Sequence, residues 1–216
     1  MTVVKIKIFL IIGPMVIWLL IFNWNLDYHH MMLAQSTLSK PDVGNKNLKT
    51  YTNNQYNFVI SYPANWEKIE FAQGITESGR QILATFLSPL ESPSDSFREY
   101  LTIEVANFSP GTAVDNAKLI KYADSQVDGY MKSLHGFHLL AKSEEFNNIN
   151  ELPIGNPSCY EVIYSHVDAT AGKINVLDTY CARNSKIYLL SFQSDSVKYS
   201  SYLPLVKEIV NSFKLV

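Results

Sequence analysis

The chain has 216 residues, a formal net charge of −2 and a hydrophobic fraction of 47%. This length suits one folded domain with a targeting segment, and the hydrophobic fraction excludes an intrinsically disordered protein. The charge is near neutral and no block of lysine or arginine occurs, so the sequence gives no electrostatic basis for binding nucleic acid.

The N-terminal segment has the features of a membrane anchor or a signal peptide. Lys5 and Lys7 precede an uncharged, largely apolar run over residues 8–26. Because cations precede this run, we expect the N-terminus in the cytoplasm and the rest of the chain outside it. The run is near the lower length limit for crossing a bilayer, and the best small-residue cleavage point follows Ala34. Residues 1–34 are predicted to be an uncleaved anchor or a cleaved signal peptide, with a buried core helix as the remaining alternative.

A polar stretch separates this segment from the folded domain. Residues 35–48 contain a proline, a glycine and several polar side chains, which is typical of a linker. The folded domain is predicted over 49–216 and begins with strands. Their composition and alternation of apolar with polar residues place these strands at 57–62, 81–88 and 99–108.

The second half of the domain combines two helices with further strands. Thr112 can cap a helix whose apolar residues recur at helical spacing: Leu119, Ala123, Val127, Tyr130 and Leu134. Pro204 is predicted to begin a second helix near the C-terminus. Strands are predicted between these helices, at 137–146, 159–167, 173–183 and 186–193. Strand runs interrupted by two helices indicate an α+β fold in which helices cover an antiparallel β-sheet.

The two cysteines of the chain are predicted to form a disulfide bond. Neither lies in a CxxC pair, which excludes a zinc ribbon and a thioredoxin-type site. If the strands joined by residues 168–172 form a hairpin centred near Thr170, Cys159 directly faces Cys181. An oxidising compartment would allow the bond to form. Two buried free thiols remain the alternative, because a register shift of one residue puts the side chains on opposite faces.

The chain resembles the PsbP-like family, the fold of the extrinsic lumenal protein of photosystem II. The resemblance rests on the stretch 51–70, in which Tyr62-Pro63 is followed by Trp66, on the order of elements, and on the ending 186–215. It implies an α-β-α sandwich with an antiparallel sheet between helices. The photosynthetic members assist an oxygen-evolving centre, but this chain has no plant transit peptide. The N-terminus resembles that of a prokaryotic or archaeal protein, and the family resemblance then implies a membrane-anchored, extracytoplasmic member that binds other proteins.

A calcium loop is suggested by one stretch of the sequence. Asp124, Gln126, Asp128 and Gly129 match positions one, three, five and six of an EF-hand. The bidentate glutamate that an EF-hand needs at position twelve is replaced by His135. A solvated helix face is therefore the preferred interpretation.

Two histidine clusters invite a metal interpretation. His135 and His138 could join Glu144 or Glu145 around an ion, and the cluster from His29 to Met32 offers imidazole and thioether groups that suit copper. For His135 and His138 the preferred interpretation is that they are surface histidines. For residues 29–32 it is an amphipathic stretch next to the membrane with no ligand. We therefore assign no metal ligand.

Catalytic residues are equally hard to assign. Ser165, His166 and Asp168 are the residue types of a hydrolytic triad, but they lie within one strand and its turn, where alternate side chains face opposite ways. The sequence has no nucleophile-elbow GxSxG, P-loop, Rossmann glycine pattern or HExxH motif. We therefore expect no catalytic residue and no enzyme.

The function predicted from these observations is a non-enzymatic extracytoplasmic domain that docks on, or helps assemble, a membrane protein complex. Its partners would be the membrane, through the N-terminal segment, and an integral or peripheral complex. Four aromatic residues are predicted as possible interface anchors: Tyr62, Trp66, Tyr199 and Tyr202. Several aromatic residues must also fill the core, and core packing is the preferred interpretation of Trp66. The alternative is a module on the outer membrane face that binds a small ligand or a metal, calcium or copper. An unrecognised hydrolase is a third interpretation.

Overall fold

The computed structural model describes residues 47–76, 79–93, 95, 97–109, 111–143 and 158–216. The predicted N-terminal segment and almost all of the predicted linker lie outside these residues. Within the described ranges, no helix is long and apolar enough to cross a membrane. The elements in chain order are β1 (Leu48–Asn53), β2 (Phe58–Pro63), β3 (Glu67–Ile75), β4 (Gln81–Leu87), β5 (Tyr100–Asn107), α1 (Asn116–Ser133), β6 (His138–Lys142), β7 (Ser158–Asp168), β8 (Gly172–Arg183), β9 (Lys186–Asp195), α2 (Tyr199–Asn211) and β10 (Lys214–Leu215).

The strands form two antiparallel sheets and not the single sheet that was predicted. The larger sheet has seven strands in the order β3-β4-β5-β9-β8-β7-β6, and the smaller one has the order β1-β2-β10. The small sheet was not predicted as a separate unit because β1 falls in a polar stretch and β10 has only two residues. The α+β class is confirmed, with mostly antiparallel strands and two helices.

The larger sheet is buried on both faces, so alternate residues of one strand belong to two different cores. On β8, Val176 and Tyr180 pack with the buried residues of α1. Leu177 and Cys181 pack with α2 and the small sheet. This follows from the two-residue period of a strand, whose successive side chains point to opposite faces. The sheet is thus sandwiched between α1 on one side and α2 with the small sheet on the other.

The core under the small sheet is rich in aromatic rings. Phe58 of β2 packs against Phe213 with ring centroids 5.4 Å apart, and Tyr62 packs against Phe86 at 4.6 Å. Burying one such side chain stabilises the fold by about 1.5–3 kcal/mol. These contacts, together with pairing between β10 and β2, hold the end of the chain against the first strands of the domain.

Helix α1 is amphipathic, as predicted, but its cap differs from the prediction. Its buried residues are Leu119, Ala123 and Val127. The N-cap is Asp115, whose carboxylate accepts a hydrogen bond from the Lys118 amide at 2.8 Å. The predicted cap, Thr112, is wrong because Asp115 supplies the acceptor one turn nearer to the buried stripe.

Helix α2 begins at Tyr199, so the prediction that Pro204 starts it is wrong. Pro204 lies inside the helix. A turn at Asp195–Lys198 leads into the helix, and the Tyr202 amide donates to the Lys198 carbonyl at 3.2 Å. Proline has no backbone N–H, so inside a helix it removes one backbone hydrogen bond, whereas in the first turn no bond is lost. For this reason the sequence favoured a helix that starts at Pro204. The side chains of Tyr199, Tyr202, Val206 and Ile209 are buried and offset that loss.

Candidate functional site

The four aromatic residues predicted as possible interface anchors lie in the core, which agrees with the preferred interpretation of Trp66 and corrects the possible interface role of the three tyrosines. Tyr62, Trp66, Tyr199 and Tyr202 are between 3% and 8% exposed. The ring centroids of Trp66 and Tyr202 lie 6.3 Å apart. Tyrosine and tryptophan serve protein interfaces and aromatic cores equally well. Their residue types could therefore not distinguish the two roles.

The calcium-loop residues belong to a regular helix. Asp124, Gln126, Asp128 and Gly129 all lie within α1, whose backbone does not fold into a binding loop. Asp124 forms an ion pair with Lys142 of β6, and Gln126 accepts a hydrogen bond from Arg80. This supports the preferred interpretation of a helix over that of a calcium site.

The histidines near the end of α1 are exposed and lie in a turn and an edge strand. His135 uses its backbone carbonyl to accept a hydrogen bond from the Val167 amide at 2.8 Å. His138 begins β6, opposite Ser165 of β7. Glu144, Glu145 and the cluster 29–32 lie outside the described residues. Among the residues that are described, no three histidine, cysteine, aspartate or glutamate side chains are grouped to hold a metal.

Ser165, His166 and Asp168 do not form a triad. Ser165 is fully buried, and His166 projects from the other face of the same strand. The Asp168 carboxylate accepts hydrogen bonds from the amides of Thr170 and Ala171, each at 2.8 Å, and thereby stabilises the β7–β8 turn. Burial lowers the pKa of His166, although attraction to Asp168 opposes the shift. These three residues therefore have structural roles in β7 and in the β7–β8 turn.

The β7–β8 hairpin has the register that the sequence predicted. Cys159 pairs with Cys181, and the structure joins them by a disulfide with their Cα atoms 4.1 Å apart. The bond therefore crosslinks the two strands of a hairpin inside the larger sheet. Its formation in the protein requires a compartment that is not reducing.

A buried polar network lies between the larger sheet and α1, and sequence analysis missed it. Arg80 precedes β4 and donates from Nε to Oε2 of Glu104 on β5 at 2.5 Å. Its remaining nitrogens donate to the Gln126 side chain and, at 3.3 Å, to the Tyr130 hydroxyl, both on α1. These residues are far apart in the sequence, so no local pattern could reveal them. The network fixes α1 on the sheet.

Asp178 of β8 carries a second buried polar group on the same face. The Tyr180 hydroxyl donates to its Oδ2 at 3.1 Å, whereas no hydrogen bond to its Oδ1 is found among the described residues. Burial raises the pKa of Asp178 to about 6, and the neighbouring Ser191 hydroxyl and Arg80 guanidinium only partly oppose this. A carboxyl group with such a pKa can act in catalysis. Asp178 is fully buried, however, so we treat it as part of the core.

Three carboxylates surround one ammonium group at the start of α2. The Nζ atom of Lys198 lies 2.9 Å from Asp95, 3.5 Å from Glu99 and 3.6 Å from Glu91. Burial raises the pKa of Glu99, although attraction to Lys198 opposes the shift. Lys198 thus supplies the positive charge within this acidic group and fastens the β4–β5 connection to α2.

A small cleft opens beside the C-terminal strand. It has a volume of about 100 Å³, and its lining includes Tyr56, Arg183, Lys186 and Val216. Pockets for drug-sized ligands have volumes of roughly 300–1,000 Å³. The cleft is therefore too small to support a small-molecule site.

The two edges of the larger sheet differ in a way that bears on binding. Edge strand β3 is interrupted by a bulge between Glu70 and Gly74 and carries an ion pair between Lys68 and Glu70. Bulges and charges of this kind discourage pairing with another strand. Edge strand β6 also has a register irregularity at Leu140 and an ion pair between Lys142 and Asp124, but it presents two adjacent leucines, Leu139 and Leu140, which are 42% and 51% exposed. The β6 edge, residues 138–142, is therefore a candidate binding surface through its exposed leucines.

Comparison with known proteins agrees with this fold. The family model described as PsbP-like protein matches residues 29–215. The solution structure of cyanobacterial PsbP (CyanoP) from Synechocystis sp. PCC 6803 is similar, with a TM-score of 0.53 and 12% sequence identity over 85% of this chain and 99% of that one. LpqN of Mycobacterium tuberculosis, involved in cell envelope biogenesis, has a TM-score of 0.50 and 10% identity over 77% of this chain and 89% of its own. No curated protein matches the sequence.

Proposed function

Because the chain belongs to the PsbP-like family, we propose that it is a non-catalytic accessory domain that docks on a membrane protein complex outside the cytoplasm. The N-terminal apolar segment holds it at the membrane. Such tethering raises the local concentration of the domain, so that even a weak interface is occupied.

The observation that carries this proposal is the exposed apolar surface of the β6 edge. Leu139 and Leu140 stand on an edge strand that has β7 on one side and no described strand on the other. Exposed apolar side chains that lie next to each other are a ready site for association. The Arg80–Glu104 pair and the Lys198 cluster, in contrast, already have internal roles in holding α1 and α2.

The location outside the cytoplasm rests on the order of charges at the N-terminus. Lys5 and Lys7 precede the apolar run, which favours a cytoplasmic N-terminus. Protease added to intact cells or right-side-out vesicles should therefore digest the domain. Protection in intact cells, with digestion only after lysis, would contradict this topology.

Docking can be tested by photo-crosslinking of the full chain in native membranes. A benzophenone amino acid replaces Leu140 in one variant and Val197 in the other. Val197 is the matched control, because it is 86% exposed but lies in the turn before α2, away from the β6 edge. We expect Leu140 to give one discrete product with an integral or tightly bound membrane protein, and Val197 to give none. Equal products from both positions, or none from Leu140, would refute docking through β6.

A further inference from the structure

A row of buried polar side chains crosses the larger sheet under helix α1. The row consists of directly paired residues on four neighbouring strands: Thr85 of β4, Thr102 of β5, Ser191 of β9 and Asp178 of β8. All four residues are at most 6% exposed, and the two threonine hydroxyl oxygens lie 3.0 Å apart. The row therefore brings hydroxyl groups, and no cation, to the carboxyl group of Asp178.

The charges of this interior do not balance when Asp178 is ionised. Its carboxylate is attracted to Arg80 and repelled by Glu104, but Arg80 and Glu104 already form an ion pair with each other. One cation thus faces two carboxylates, and one negative charge is left over. The Oδ1 atom of Asp178 is buried and accepts no hydrogen bond from the described residues. Because an uncompensated buried charge is costly, binding of one proton at Asp178 relieves the cluster.

The other titratable groups near Asp178 do not supply the missing positive charge. Burial raises the pKa of the tyrosines that face it from four elements, so their hydroxyls stay neutral: Tyr100 of β5, Tyr130 of α1, Tyr164 of β7 and Tyr180 of β8. Tyr122 of α1 packs on Tyr180 with ring centroids 6.2 Å apart. On the same face of β7, burial lowers the pKa of His166, which is attracted to Asp168. The pair of Asp124 and Lys142 is partly exposed and neutral as a pair.

Helix α1 is the cover that separates this cluster from solvent. Gln126 and Tyr130 of the helix accept hydrogen bonds from Arg80, so the cluster and the helix are directly joined. Only three of the 18 residues of α1 are buried: Leu119, Ala123 and Val127. An element that buries few apolar side chains opens locally at a lower free energy than the strands of the core. Opening of α1 brings water to Asp178 and removes the cost of its charge.

We propose that the domain contains a pH-sensitive switch, in which a proton bound at Asp178 holds helix α1 closed on the larger sheet. When the proton leaves, the remaining negative charge favours the state in which α1 is open and Asp178 is hydrated. Burial raises the folded-state pKa of Asp178 from 3.8 to about 6. Closure is therefore strongest in acid and weakens as the pH rises through about 6. The switch needs no partner and is independent of the β6 edge.

Backbone amide hydrogen exchange of the full chain in detergent micelles tests the switch at pH 5 and pH 7.5. At pH 7.5 we expect protection factors in α1 at least tenfold lower than in β9, a central strand of the larger sheet. The lowered pKa of His166 acts in the opposite sense, so the wild type is compared with Asp178→Asn. The ratio of α1 protection at pH 5 to that at pH 7.5 should be about tenfold larger in the wild type than in this variant. Asp124→Asn, which changes an exposed acid of α1, is the matched control and should behave as the wild type.

Each other outcome overturns the switch. Equal protection of α1 and β9 would mean that the helix opens only when the whole domain unfolds. Equal pH ratios in the wild type and Asp178→Asn would mean that the proton is not bound at Asp178, and loss of the effect in Asp124→Asn would place it on the surface of α1. If Asp178→Asn does not fold, the carboxyl ¹³C resonance of Asp178 is titrated in the wild type. A midpoint near pH 6 supports the switch, and a midpoint below pH 5 refutes it.

Discussion

Arg80 and Glu104 form an ion pair of 2.5 Å between Nε and Oε2, and both side chains are buried under helix α1. Removing one member of such a pair leaves the other charge buried without its partner, which costs more than the pair itself contributes. The same guanidinium also reaches Gln126 and Tyr130 of α1. The attachment of α1 to the sheet thus depends on one arginine.

Glu104→Leu should lower the free energy of unfolding by about 3–5 kcal/mol, because Arg80 then remains charged in the core. The exposed pair Lys68–Glu70 provides the control, and Glu70→Gln should change stability by less than about 1 kcal/mol. Urea unfolding of both variants measures the difference. The double variant Arg80→Met, Glu104→Leu should recover much of the loss, and an equally large loss in that variant would contradict the explanation.

Asp178→Asn should stabilise the protein at neutral pH. The folded-state pKa of Asp178 is raised from 3.8 to about 6, so the folded protein binds its proton more tightly than the unfolded chain. The contribution of Asp178 to stability is therefore greatest below pH 4 and is lost as the pH rises through about 6. By the usual conversion the loss is roughly 2–3 kcal/mol. The variant should gain about that much over the wild type at pH 7 and almost nothing at pH 4; an equal effect at both pH values would contradict the assignment.

The disulfide between Cys159 and Cys181 can be checked by mass spectrometry of the purified protein alkylated without reduction. We expect neither cysteine to be labelled, whereas labelling of both would refute the bond. The residues are separated by 22 positions, and closing a loop of that size is worth about 3 kcal/mol in the chain-entropy model. Reductant should lower the stability of the wild type by about that amount and leave the Cys159→Ala, Cys181→Ala variant unchanged.

Gly136→Ala should destabilise the fold by about 1–3 kcal/mol, because alanine strains the positive φ and its Cβ crowds Val167. Gly129→Ala is the matched control. Gly129 lies inside α1 with nothing within 4 Å of a Cβ, so alanine there should stabilise the helix by up to about 1 kcal/mol. Thermal unfolding of the two variants gives the comparison. A Gly136→Ala protein as stable as the wild type would show that the turn does not hold the β6 edge rigidly.

Much of the fold could be predicted because its signals are local. The β7–β8 register follows from a short turn at 168–172 between two alternating strands, and that is enough to bring Cys159 opposite Cys181. Strand β3 was missed because its charged residues, including Glu67, Lys68 and Glu70, obscure the alternation. Only an edge position explains how a strand can carry so much charge.

The candidate site could not be predicted in the same way. Whether Trp66 and Tyr202 face solvent or the core depends on which sheet covers them. The spacing of apolar residues in the sequence does not reveal which sheet that is. The sequence predicted only a strand over 137–146 and gave no sign that its Leu139 and Leu140 are exposed, as they are in the structure. Long-range contacts such as Arg80 with Glu104 leave no trace in either segment.

The order of the larger sheet has a consequence for how the molecule assembles. Strands β3, β4 and β5 are consecutive neighbours, as are β7, β8 and β9, so each group can form from pieces of chain that are close together. The central pairing of β5 with β9 instead involves residues that are far apart in the sequence. Asn107 pairs with Lys186, and α1, β6, β7 and β8 lie between these two residues in the chain. Closing so long a loop is entropically costly, and distant pairings of this kind slow folding. We expect two separately formed meanders to meet at the β5–β9 seam as the last and slowest step of folding.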